Sequence, residues 1–251
     1  MSESTLTEDE TTTRLLTLDN VSQSFGDVAV LDDISVTVSS GTMMAIIGPN
    51  GSGKTTLSQI IAGLSRPSEG QVLLSAENER SVGYLPQNPQ FRPTFTVEET
   101  LTFYANLLTT AVDVETTMDD VGLLDVRDRR VDALSGGMRR LLGLAQSLLG
   151  SPPLIVLDEP TSGLDPRMTR RIYDVASTRV ADGTTVLLTT HDLTHAAEAD
   201  ELLLLHHGQV VARGRPDAIV DQTSTESLAE AFFSIVGKEP TVQSGVREGS
   251  R

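Results

Sequence analysis

Apolar and polar residues alternate through Ile34, Val36 and Val38, and a comparable run fills 15–25, so two antiparallel β-strands are expected on either side of Gly26-Asp27. The unbroken apolar run Met43-Met44-Ala45-Ile46-Ile47 reads as a buried strand, after which Leu57, Ile60 and Ile61 recur at helical spacing until Gly63. Strands follow at 70–74 and 82–85, and the two prolines of Pro86-Gln87-Asn88-Pro89 then impose a loop or extended path. Thr96-Val97-Glu98-Glu99 opens a helix through Leu108 as a capping box, and 112–124 reads as a second helix. Ser135 caps a third, in which Met138, Leu141, Leu142, Ala145 and Leu149 share one face before Gly150 and Pro152 end it. Residues 87–150 are therefore expected to form an all-helical insertion within an α/β core. Beyond it lie buried strands at 154–157 and 185–189, a helix started by Asp165-Pro166, a hairpin over His206-His207-Gly208, and a short last helix capped by Ser227.

Composition narrows the class. A chain of 251 residues with 38% hydrophobic residues can build a substantial core, and no apolar run approaches the length that crosses a bilayer. Residues 1–13 are acidic and rich in Thr and Ser, without the basic and apolar regions of a secretory signal, and are expected to be disordered, as are 237–251. The absence of cysteine excludes disulfides and thiolate chemistry and fits a cytoplasmic location. A formal net charge of -16 argues against a general nucleic-acid partner. Of 19 basic residues only Lys54 and Lys238 are lysine, a pattern shared by salt-adapted surfaces and by a codon bias toward arginine, of which only the former explains the acid excess.

Candidate chemistry centres on Gly48-Pro49-Asn50-Gly51-Ser52-Gly53-Lys54-Thr55-Thr56, a glycine loop between a strand and a helix. Such a loop turns backbone N–H groups and the positive end of a helix toward phosphate, with Lys54 as a point charge and the Thr55 hydroxyl available to Mg²⁺. The strand at 154–157 runs into Asp158-Glu159, carboxylates at the strand end where α/β sheets bind ligands. The strand at 185–189 delivers His191 to the same edge. Phe25 is either a core aromatic or a ring that stacks on adenine. Taken alone, Gln87 would be a loop residue and His191 a surface or capped core histidine, and His195, His206 and His207 read as solvent-facing residues, not metal ligands.

Taken in order, Gly48 to Thr55, Gln87, Leu134-Ser135-Gly136-Gly137-Met138, Leu154 to Glu159, Ser162-Gly163-Leu164-Asp165 and His191 resemble the Walker A, Q-loop, signature, Walker B, D-loop and H-loop of the ATP-binding subunit of an ABC transporter, exporter-type. The resemblance spans about 15–220. It implies an α/β fold: a P-loop NTPase core of mostly parallel sheet, an antiparallel N-terminal subdomain and an inserted all-helical subdomain, together forming one ATPase domain over 14–236. It further implies ATP as substrate with Phe25 against the adenine, Mg²⁺ held by Thr55, Asp158 and Gln87, and Glu159 as catalytic base, assisted by Gln87, His191 and Lys54. By the same resemblance Ser135, Gly136 and Gly137 contact ATP on a second ATPase subunit, identical or similar, with Asp165 near that seam. Transmembrane permease subunits would hold the pair at the cytoplasmic face of the membrane.

Two departures stand out. Phe25 occupies the place where the family usually has Tyr, and Met138 replaces the commoner Gln; the latter, with Arg139-Arg140 and the ending 227–237, looks more like exporters than importers. The competing reading is a soluble ABC ATPase that serves as an assembly or remodelling factor. A nucleotide-binding module without turnover fits less well with the full set Lys54, Asp158, Glu159 and His191.

Overall fold

Arg14–Phe25 (β1) and Val28–Ser39 (β2) pair antiparallel across the Gly26-Asp27 turn, with Phe25 opposite Val28 and Leu16 opposite Val38. The computed structural model describes residues 14–76 and 78–237, so the tails expected at 1–13 and 237–251, Gly237 excepted, lie outside the described residues. All five residues of Met43–Ile47 (β3) are buried, as a strand covered on both faces requires. The chain then turns into Lys54–Ile61 (α1) and returns as Glu69–Leu74 (β4) to the free side of β1, completing a three-stranded antiparallel sheet in the order β2-β1-β4.

Val82–Leu85 (β5) precedes three helices, Val97–Ala105 (α2), Val114–Val121 (α3) and Gly136–Leu148 (α4). Leu154–Asp158 (β6), Pro166–Ala181 (α5) and Thr185–Thr190 (β7) follow. The chain continues through Leu193–Ala196 (α6), the hairpin Glu201–His206 (β8) and Gln209–Gly214 (β9), then Pro216–Thr223 (α7) and Leu228–Val236 (α8). The second sheet has the order β5-β6-β7-β3-β8-β9 and is parallel except for the β8–β9 pair. Successive side chains of its strands point to opposite faces. Ala45, Ile47, Leu157 and Leu188 enter the core shared with the helices α2–α5, whereas Met44, Ile46, Val156 and Leu187 pack with the antiparallel sheet and α1. Ile47 is level with Thr190, and Asp158 with Thr189, so the carboxyl ends of β3, β6 and β7 reach one edge together.

Several local expectations change. The helix α2 stops at Ala105 rather than Leu108: the Leu107 and Leu108 amides bond three residues back, and the Glu79 carboxylate takes the amides of Thr109 and Thr110. Asp113 and left-handed Gly122 cap α3, which is correspondingly shorter than 112–124. The helices α6 and α7 were not anticipated. Phe25 is 58% exposed, which removes the core alternative for its ring. His195 is not solvent-facing; it is half-buried, stacks on Tyr173 at 4.4 Å, and its Nδ1 is 2.6 Å from Asp192 Oδ2. His206 is half-buried and His207 exposed. Among the described residues no helix is long and apolar enough to cross a membrane.

Candidate functional site

The glycine loop is held by contacts that differ at each glycine. A Cβ on Gly48 would stand 2.2 Å from the Leu205 carbonyl oxygen of β8, so the close approach of two backbones demands glycine there. Gly53 has φ 104°, and a Cβ on it would meet Leu31 and the Val30 carbonyl of β2. The Ser52 amide donates to the Pro49 carbonyl at 3.2 Å, and Ser52 Oγ is buried with no hydrogen-bond partner among the described residues. Lys54 is buried, its Nζ donating to the carbonyls of Gly48 and Pro49 at 2.9 and 3.2 Å. Gly51, Asn50 and Thr55 are exposed and Thr56 is half-buried, so the loop presents its outer rim to solvent.

Asp158 and Glu159 differ in surroundings although adjacent. Asp158 Oδ1 accepts from Thr189 Oγ1 at 2.8 Å and from Thr55 Oγ1 at 3.2 Å, and burial pushes its carboxyl pKa up against those two hydrogen bonds. The Tyr84 hydroxyl beside it is pushed up to about 12, by burial first and then by the Asp158 charge. Glu159 sits at φ 47°, a left-handed conformation uncommon outside glycine. Its Oε2 is 2.7 Å from His191 Nδ1 and its Oε1 3.7 Å from Lys54 Nζ. One carboxylate is thus bracketed by a cation from the loop and an imidazole from the end of β7.

These groups border a cleft of about 450 Å³ lined by Gly48, Pro49, Asn50, Gln87, Glu159 and His191. Ser162, Leu193, Phe232 and Phe233 complete the wall. The helix bearing the last two was legible, but nothing in its sequence placed it here; Thr189, Tyr84 and Arg140 were missed because each acts through a strand register or a helix face. Gly136 lines a separate cavity of about 250 Å³ with Arg140, Ser162 and Gly163. Ser135 caps α4 by accepting from the Met138 amide at 3.2 Å, and a Cβ on Gly137 would press on Met168 at 3.1 Å. Asp165 caps α5, its Oδ1 accepting the amides of Arg167 and Met168 at 2.9 and 3.1 Å.

The donor set around Asp158 is all oxygen. Among the described residues no group of three or more His, Asp or Glu stands ready for a metal, so an ion here would draw most of its ligands from phosphate and water. That is the habit of Mg²⁺, which keeps waters and takes one or two protein oxygens.

A mostly parallel sheet with a glycine loop after one central strand and paired carboxylates after another defines a P-loop nucleoside triphosphatase. Residues 31–162 match the family described as ABC transporter. The Nod factor export ATP-binding protein I of Bradyrhizobium diazoefficiens is 36% identical over 216 residues, which cover 80% of this chain and 71% of that protein. Its namesake from Rhizobium sp. strain N33 is 35% identical over 229 residues, or 86% of this chain and 75% of the relative. A solved structure of the ATP-binding subunit of an ABC transporter superposes with a TM-score of 0.79 at 28% identity, covering 88% of this chain and 99% of that one. The chain belongs to the ABC transporter family and is an ATP-binding, ATP-hydrolysing subunit of it.

Proposed function

We propose that two copies of this chain close head to tail around two molecules of ATP with Mg²⁺, and that hydrolysis releases them, the cycle driving export of a substrate through separate membrane proteins. The observation that carries the reading is Gly136. It is exposed, a Cβ on it would meet nothing within 4 Å among the described residues, and its φ is not in the left-handed range, so nothing in the described fold calls for glycine at this position. A bare backbone at the start of a helix is what an anion approaching from outside requires.

Within each copy, Phe25 offers its exposed ring to the adenine, and residues 48–56 surround the phosphates with Lys54 as their charge. Thr55 and Asp158 would hold Mg²⁺, with Gln87 at the cavity wall as a further oxygen donor; the ion would neutralise charge on the phosphates. Glu159 takes the proton of the attacking water, and His191, hydrogen-bonded to its carboxylate, fixes where that carboxylate points. Ser135, Gly136 and Gly137 meet the ATP of the other copy, with Asp165 beside the seam.

The export assignment leans on the two relatives reported above, both called Nod factor export ATP-binding protein I. Residues 14–236 then act as one ATPase domain at the cytoplasmic face of a membrane, with 87–150 relaying movement to permease partners. The charge of -16 supports operation at high salt.

The test is light scattering of Glu159→Gln with ATP and Mg²⁺ over a range of KCl concentrations. A stable dimer is expected with ATP and a monomer with ADP; a monomer under every condition would overturn the proposal.

A further inference from the structure

Arg140 is 7% exposed and lies in the second turn of α4, four residues after Gly136. Neither phosphate binding nor proton transfer as described above uses it. Its Nη1 donates to the main-chain carbonyl of Glu159 at 2.8 Å. That carbonyl belongs to the residue held at φ 47°, a conformation that persists only where the surroundings enforce it. The Glu159 amide is fixed from the opposite side, donating to Thr189 Oγ1 at 2.8 Å. The catalytic glutamate is therefore gripped at both ends of its backbone, by the sheet and by α4.

A guanidinium in this position is costly to bury unless its donors and charge are used. Burial pushes its pKa down while the charges of Asp158 and Glu159 push it back, and arginine stays protonated throughout. Residues four apart lie on one face of a helix. Gly136 and Arg140 accordingly line the same cavity, together with Ser162, Gly163 and Leu164. At its start α4 abuts Met168 of α5, so the segment carrying both residues is packed on two sides rather than free to bend alone.

We infer that Arg140 is a positioning residue that ties Glu159 to the first turns of α4, so that nucleotide touching the signature of one chain sets the backbone of that chain's own catalytic glutamate. The inference rests on the head-to-tail dimer proposed above, because there the nucleotide at the signature belongs to the partner copy. Each site then reports its occupancy to the base of the other site, through one rigid helix and one hydrogen bond.

The experiment compares Arg140→Met and Arg140→Lys with the parent chain, reading the Kd for ATP with Mg²⁺, the kcat, and the Hill coefficient of hydrolysis against ATP. In Arg140→Met the Kd should stay within about twofold, whereas loss of a charged hydrogen bond to a reacting group's backbone should lower kcat roughly ten- to a hundredfold. The Hill coefficient should fall below that of the parent, since closure around two ATP molecules keeps part of the cooperativity and the contact supplies the rest. Arg140→Lys, which keeps charge but loses the fork, should fall between the two and carries the test alone if the Met variant does not fold. Wild-type kcat and Hill coefficient in either folded variant, or a parent chain without cooperativity, would overturn the inference. Dimerisation of each variant in the Glu159→Gln background separates the two failures: no dimer in the Glu159→Gln parent counts against the head-to-tail reading, while a dimer with unchanged cooperativity counts against Arg140.

Discussion

His191 Nδ1 lies 2.7 Å from Glu159 Oε2, joining an imidazole that is 63% exposed to a carboxylate that is 10% exposed. The two residues arrive from adjacent parallel strands whose register sets Asp158 level with Thr189, so the contact follows from the sheet and not from loop flexibility. Because the histidine ring stands largely in solvent, removing it should spare the fold. His191→Ala is expected to keep its Tm within about 2 °C and to lose roughly 10²-fold or more in kcat, as for a group that orients proton transfer. Steady-state ATPase assays beside thermal melts check both halves.

Lys54 presents the opposite case. Its ammonium is buried and reaches two loop carbonyls as well as Glu159 Oε1, so Lys54→Ala should cost nucleotide affinity and leave the carboxylate without its buried cation. Loss of charge-assisted hydrogen bonds worth about 1.5–3 kcal/mol should weaken the Kd by roughly ten- to a hundredfold, as titration calorimetry with a non-hydrolysable ATP analogue would read.

Two glycines should respond in opposite ways to the same substitution. Gly48→Ala places a methyl 2.2 Å from a main-chain oxygen that cannot move aside, and overpacking of this kind costs about 1–3 kcal/mol, so the melting temperature should drop by several degrees. Gly136→Ala has open space and ordinary backbone, and should melt like the parent while failing to dimerise with ATP. Equal melting losses in both would show that the second glycine serves the fold after all.

Asp158 should leave a pH signature. Burial raises its carboxyl pKa above that of the unfolded chain, so between the two values the folded state binds the extra proton. Stability contributed by this group therefore falls as pH rises through that window and stays at its lower level above the folded pKa. Asp158→Asn should raise Tm at pH 7 in the absence of nucleotide, flatten the acid-side dependence, and abolish hydrolysis. An unchanged Tm–pH profile would remove the claim that burial dominates here.

The sequence disclosed what depends on local order. Thr96 and Glu99 satisfy each other's amides, Ser135, Asp165 and Ser227 cap the helices they precede, and the hairpin turns at Gly208. What escaped it depends on residues distant along the chain. Glu79 ends α2 by capturing amides 30 and 31 positions away, and Arg140 meets Glu159 across 19. The glycine at 48 was legible as part of a phosphate loop, but its packing against Leu205 required knowing that β3 and β8 are neighbours. His195 was misread because its stacking partner Tyr173 belongs to another helix.

The rings of Phe232 and Phe233, edge to face at 5.6 Å, form part of the wall facing Glu159 and His191. A version of the protein cut before Leu228 would retain every recognisable ATPase motif and still have a cleft open on one flank. Shortened forms, and tags fused close behind Val236, are therefore poor proxies for the intact enzyme in kinetic work.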